Sequence, residues 1–213
     1  MQFVDLSSAI KASVSVITML IVSSSVLIAQ EPSIRTVPFK LDPRSSITVN
    51  GTSTVNSFSC TSENIEGSGS VTRDQDAIGV ANISVQIETE VENFDCRNWR
   101  MTKDLWKALK SKDHPRIFYE LDTTPIEPSA DLGKEVFQIN ASGRLIIAGS
   151  ERQIEVLLTA TRASESAFDL TGTQEILMTD FGVEPPTALF GLVKANDQII
   201  IHFDLKPAVT PSQ

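Results

Sequence analysis

The stretch Phe137-Gln138-Ile139-Asn140-Ala141-Ser142-Gly143-Arg144-Leu145-Ile146-Ile147-Ala148-Gly149-Ser150-Glu151-Arg152-Gln153-Ile154-Glu155-Val156-Leu157-Leu158-Thr159-Ala160 decides the fold. Phe137, Ile139, Ala141, Leu145 and Ile147 recur at every second position, and Ile154, Val156, Leu158 and Ala160 do so on the far side of a glycine. A period of two is that of a strand with one buried face. Gly149-Ser150-Glu151-Arg152 reads as a tight turn between the two runs, so the segment predicts a long antiparallel hairpin.

The same period extends along the chain. Ile199, Ile201, Phe203 and Leu205 alternate with polar neighbours, as do Ile117, Tyr119 and Leu121. Phe168, Leu170, Ile176 and Met178 form another alternating line, and Ser46–Thr54 and Phe58–Glu66 read as two weaker strands. Between Ile78 and Glu88 the apolar parity slips, which predicts a β-bulge near Asn82. One segment departs from the pattern: Met101, Leu105, Trp106 and Leu109 stand at helical spacing, predicting a helix over 102–112 that Pro115 ends. A short helical turn is expected at Pro186–Phe190. About eight long strands with one inserted helix suit an all-β, eight-stranded antiparallel up-and-down barrel, whose interior accepts side chains or one small ligand.

Composition fits that picture. The chain has 213 residues, 41% of them hydrophobic and 21% charged, as in an ordinary globular domain. Its net charge of −9 disfavours nucleic acid as a partner. Residues 12–30 carry no charge, and Val14–Ala29 is mostly apolar. A secretory signal peptide over 1–29 is the preferred reading, and an uncleaved anchor is the alternative. Export to a periplasmic or extracellular compartment would make Cys60 and Cys96 readable as a disulfide; two buried free thiols are the other reading.

Three blocks together resemble the YceI-like family of lipocalin-like periplasmic polyisoprenoid-binding proteins. They are Phe39-Lys40-Leu41-Asp42-Pro43-Arg44-Ser45-Ser46-Ile47, the run from Asp104 to Tyr119 through His114-Pro115, and Gly143–Gly149 followed by Ile154-Glu155-Val156. Thr179-Asp180-Phe181-Gly182-Val183 and the final strand Ile199–Leu205 extend the likeness over 38–208, a single barrel domain. In this chain Arg44-Ser45-Ser46 stands where the family often has a His, and its two Cys are outside the general pattern.

The resemblance implies a barrel enclosing an apolar chain such as an isoprenoid, a quinone tail or a fatty acyl lipid, without catalysis and without a cofactor. Tyr119, Phe137, Leu158, Phe168, Ile176 and Phe203 lie on the apolar parities and are the candidate ligand-lining residues. The bland reading of each is packed core. A carrier of this kind is expected to touch membranes transiently, and pairing as a homodimer is left open. His114 and His202 lack any neighbouring nucleophile or metal motif, and no metal site is expected. The rival functions are a filled barrel that binds a partner protein through its surface, and an enzyme acting on a bound lipid.

Overall fold

The computed structural model describes residues 34–74, 81–126, 136–164 and 167–210, all within one compact unit. The expected signal segment, and Ile78 and Val80, lie outside these residues. Chain order is β1 (Ile34–Leu41), β2 (Ser46–Ser53), β3 (Ser57–Ser62), β4 (Glu66–Asp74), β5 (Ala81–Glu90), α1 (Trp99–Ala108), β6 (Arg116–Ile126), β7 (Val136–Ile147), β8 (Ser150–Arg162), β9 (Phe168–Leu177), β10 (Thr187–Ala188), β11 (Val193–Leu205) and β12 (Pro207–Val209). Every pairing is antiparallel, in the order β12-β1-β4-β5-β6-β7-β8-β9-β11-β2-β3, with β10 attached only to β11.

Eleven strands along that path, rather than eight, is a correction to the count from sequence, and register explains it. Phe39 faces Val209 and Ile47 faces Phe203, so eight residues advance on one side while six advance on the other. Thus β1 and β2 are one long strand, interrupted at 42–45, that runs beside an equally interrupted β11 and β12. On its other edge Phe39 faces Gly69 and Ile47 faces Ser62, eight residues against seven, so β3 and β4 form a second broken strand. Joined in this way, eight composite strands curl into a barrel, and β12 touches the start of β9 through the Ala167–Ala208 bridge.

The β7–β8 hairpin pairs from Val136↔Thr161 to Ile147↔Ser150. Its turn is Ala148-Gly149, not Gly149–Arg152, with φ of +50° and +81°. A two-residue hairpin turn of this hand needs positive φ at both central positions, which lets Ser150, Glu151 and Arg152 stay in the ladder. The strand irregularity is also displaced from its expected place. Ile83 faces Thr124 and Val85 faces Leu121, so the extra residue sits in β6, opposite Ser84, and not in β5 near Asn82.

Helix α1 begins at Trp99, earlier than expected, because Asn98 caps it: the side-chain oxygen accepts from the Arg100 and Met101 amides at 3.1 and 3.3 Å. The segment after Pro186 forms β10 and a 3₁₀ turn rather than a helix.

Cys60 and Cys96 form a disulfide that ties β3 to the segment before α1. It closes a separation of 36 residues, for which the chain-entropy model gives about 3–4 kcal/mol. Replacing both with Ser is expected to lower the unfolding free energy by about that amount in urea titrations. An unchanged midpoint would show that the crosslink does not hold the fold.

Candidate functional site

Because successive side chains alternate across a sheet, a curled sheet sends one parity of each strand inward. Ile117, Tyr119 and Leu121 of β6, Ile154, Val156 and Leu158 of β8, and Ile199, Ile201, Phe203 and Leu205 of β11 all face the lumen. They do not fill it. A cavity of about 390 Å³ remains, within the range typical of small-molecule sites and far above ordinary packing voids.

The cavity has a floor and a cover. At the end where β7 starts and β9 begins, the Phe137 and Phe168 rings meet edge to face, with centroids 5.8 Å apart. Ile139, Ala160 and Leu170 pack with them, and the Arg162 guanidinium lies 5.0 Å from the Phe168 ring centre. At the opposite end α1 presents Met101, Leu105, Ala108 and Leu109 to the cavity. The helix is held by the Trp106 indole donating to the Phe94 carbonyl at 3.1 Å. Thr102 Oγ1 adds to this by accepting from the Cys96 amide at 3.0 Å and donating to Asp95 at 3.2 Å.

Of the six candidate lining residues, Tyr119, Leu158, Ile176 and Phe203 border the cavity. Phe137 and Phe168 are not among the bordering residues; they stand at strand ends, where their rings meet each other. The sequence reading missed the lining from Phe39, Leu41, Ile47 and Val49, whose strands are short and Thr-rich, and from the inward face of α1. The helical spacing of Met101, Leu105 and Leu109 was the available signal for that face.

Polar lining is confined to one end. Ser53, Asn56, Asn98, Arg100, Asp104 and Thr187 border the cavity where α1, the β2–β3 turn and the segment before β11 converge. The wall below carries the Tyr119 phenol, whose oxygen is buried without a hydrogen-bond partner. A Cβ at Gly143 would lie 2.7 Å from that oxygen and 2.6 Å from the Glu120 carbonyl, so only glycine leaves room for the ring. Burial away from water pushes the phenol up to about 12.

The two histidines have structural explanations. Gly149 packs against His114, with space for no Cβ, and His202 sits in the β11 ladder opposite Thr48 and Thr173. Phe181 of Asp180-Phe181-Gly182 is core, and Gly182, at φ +63°, ends a 3₁₀ turn. Glu88 pairs with Arg116, and Glu92 accepts from Ser111. Among the described residues no group of three His, Cys, Asp or Glu is gathered as metal ligands would be.

The sequence matches no family model and no curated protein. The fold, however, is that of several solved structures. A polyisoprenoid-binding domain from Saccharophagus degradans is similar at TM-score 0.60 and 13% identity, covering 82% of this chain and 99% of the other. BcnA from Burkholderia cenocepacia is similar at TM-score 0.58 and 18% identity, covering 78% and 98%. A YCEI protein from Campylobacter jejuni gives TM-score 0.48 at 14% identity, over 61% and 73%.

Tyr119 is the sole tyrosine of the chain, so tyrosinate absorbance reports it alone. Its ionisation is expected near pH 12 in the folded protein, against 10.0 for a free phenol. A raised folded value means that its contribution to stability is complete below pH 10 and is lost as pH rises from there through about 12. Tyr119→Phe, which removes the unpaired hydroxyl, is expected to stabilise the unliganded protein by roughly 1 kcal/mol in urea unfolding. A midpoint near 10, or a destabilised variant, would contradict the environment described.

Proposed function

We propose that this protein sequesters or carries an apolar, chain-like lipid (an isoprenoid, a quinone tail or a fatty acyl chain) inside the barrel. The observation that carries the reading is the unfilled cavity of about 390 Å³ with a largely apolar wall of aliphatic and aromatic side chains. A filled barrel acting only through its surface has no use for such a space, since voids in a protein interior forfeit packing energy. The solved domain of the same fold that is described as polyisoprenoid-binding supports the choice of ligand class.

Binding of this kind needs few directed contacts. Each methylene withdrawn from water contributes about 0.8 kcal/mol, against an association cost of at least ~4 kcal/mol. Micromolar affinity, about 8 kcal/mol, therefore calls for roughly fifteen buried carbons, which favours a chain over a compact metabolite. In this reading a headgroup lies at the α1 end, which the polar lining there supports, and the tail points toward the Phe137–Phe168 pair. The reading includes no catalysis, and the solved domain of this fold described as polyisoprenoid-binding supports a binding role. An oxidising compartment, reached through the apolar segment before residue 30, agrees with the Cys60–Cys96 disulfide.

Mass spectrometry of an organic extract of protein purified without detergent is expected to show a stoichiometric prenyl or acyl lipid. Ala141 lines the cavity on β7, and Ala141→Phe is expected to reduce uptake of a fluorescent fatty acid by at least about tenfold with the fold retained. Leu157→Phe, on the outer face of β8, serves as the surface control. An empty extract together with unchanged uptake by Ala141→Phe would defeat the reading.

A further inference from the structure

Strand polarity puts the β2–β3 turn, the segment 91–115 that holds α1, the β7–β8 turn and the segment 178–192 at one end of the barrel, opposite the Phe137–Phe168 floor. That end exposes large apolar side chains. Phe190 is fully exposed, and Leu192, Val55 and Trp99 are 79%, 68% and 66% exposed. They belong together: the Thr54 amide donates to the Lys194 carbonyl at 3.0 Å, and the Thr54 hydroxyl reaches the Leu192 carbonyl at 3.4 Å. Each also has cavity-lining residues close by in sequence: Thr187 and Val193 for Phe190 and Leu192, Asn56 for Val55, Asn98 and Arg100 for Trp99. The exposed tips therefore surround the mouth.

Charge is distributed in the same sense. Residues 97–112 hold six Lys or Arg against the single Asp104, or +5, which leaves −14 for the rest of the chain. α1 turns Met101, Leu105 and Ala108 inward and leaves Arg100, Lys103 and Lys107 in solvent. Arg100 and Lys103 lie 5.2 and 5.4 Å from the centre of the Trp99 ring, an aromatic and basic pairing suited to the headgroup layer of a bilayer. Glu92, Asp95, Asp113, Asp180 and Glu184 share this end, so the positive field belongs to the helix and not to the whole face.

We propose that this end is a docking surface for an anionic lipid bilayer, with Phe190, Leu192, Val55 and Trp99 entering the interface and the outer face of α1 lying on the headgroups. The acidic remainder of the barrel is repelled by the same surface, which orients the mouth toward the membrane. A chain-like lipid then passes between bilayer and cavity without crossing water. Apart from Arg100, which also borders the cavity, the docking rests on residues that do not line it; only its purpose rests on the carrier reading.

The test is flotation of the full chain with vesicles of mixed phosphatidylcholine and phosphatidylglycerol. Binding is expected to weaken with added salt and to be much lower on phosphatidylcholine alone. Phe190→Ser with Leu192→Ser, and separately Lys103→Glu with Lys107→Glu, are each expected to reduce partitioning by at least about tenfold. Trp99 emission should shift to the blue on mixed vesicles. No flotation of the parent chain, equal flotation on both vesicle types, or undiminished flotation of either double variant overturns the proposal. Fluorescent fatty acid uptake separates the two readings: the rim variants should retain it, and Ala141→Phe should lose it and still float.

Discussion

Everything in this molecule depends on a ladder that sets its own circumference. Backbone hydrogen bonds fix the spacing between strands at about 4.8 Å whatever the side chains are, so eight composite strands enclose a lumen whose width the side chains do not choose. They choose only how much of it is filled. Here the inward parity is largely Ile, Val, Leu and Ala, with Gly143 beneath the one tyrosine. Phe39, Phe58, Phe94, Phe181 and Phe203 add rings to that lining, and the Phe137–Phe168 contact holds two more beyond it.

The ladder has one weak latitude, and the chain reinforces it. Both long strands that contain β1, β2, β11 and β12 are interrupted at the same level, at 42–45 and at Lys206. The two breaks bond each other: the Asp42 amide donates to the Lys206 carbonyl at 2.9 Å, and the Lys206 amide donates to the buried Ser45 hydroxyl at 3.0 Å. Arg44 folds back on Asp42 with its side chain, holding that carboxyl at about 2, well below the usual range. The corner thus replaces lost ladder bonds with local ones, which a closed wall around an apolar lumen requires.

Alternation was legible in the sequence because burial imposes it residue by residue: the hairpin from Phe137 to Ala160, the Ile117–Leu121 run and the Ile199–Leu205 strand all stand where the period of two places them. Register was not legible. Whether Asp42–Ser45 ends a strand or merely interrupts one depends on partners more than 160 residues away, Lys206 among them. The turn at Ala148-Gly149 was expected too late, over 149–152, since nothing in the composition of Ala148 announces a left-handed backbone. For the site, parity identifies the inward face but not the height along the barrel. Height is what separates Tyr119, Leu158, Ile176 and Phe203, which border the cavity, from Phe137 and Phe168, which close it.

Height also bears on how a guest would enter. Most of the wall is ladder, and opening a paired stretch would expose backbone donors and acceptors to an apolar lumen, a cost of several hydrogen bonds at once; the β6–β7 pairing spans Phe118–Glu120 and the β8–β9 pairing Leu158–Arg162. The floor is an interlocked aromatic pair. The cover differs: on its Cys60–Cys96 side α1 is fixed by the disulfide, the Asn98 cap and the Trp106–Phe94 and Thr102–Asp95 bonds. On its other side it meets Ser53, Asn56 and Thr187 across the polar part of the lining, with no ladder between them. Entry on that side breaks no strand pairing and leaves the pinned side of the helix in place, and the exposed tips Phe190, Leu192, Val55 and Trp99 belong to the same end of the barrel.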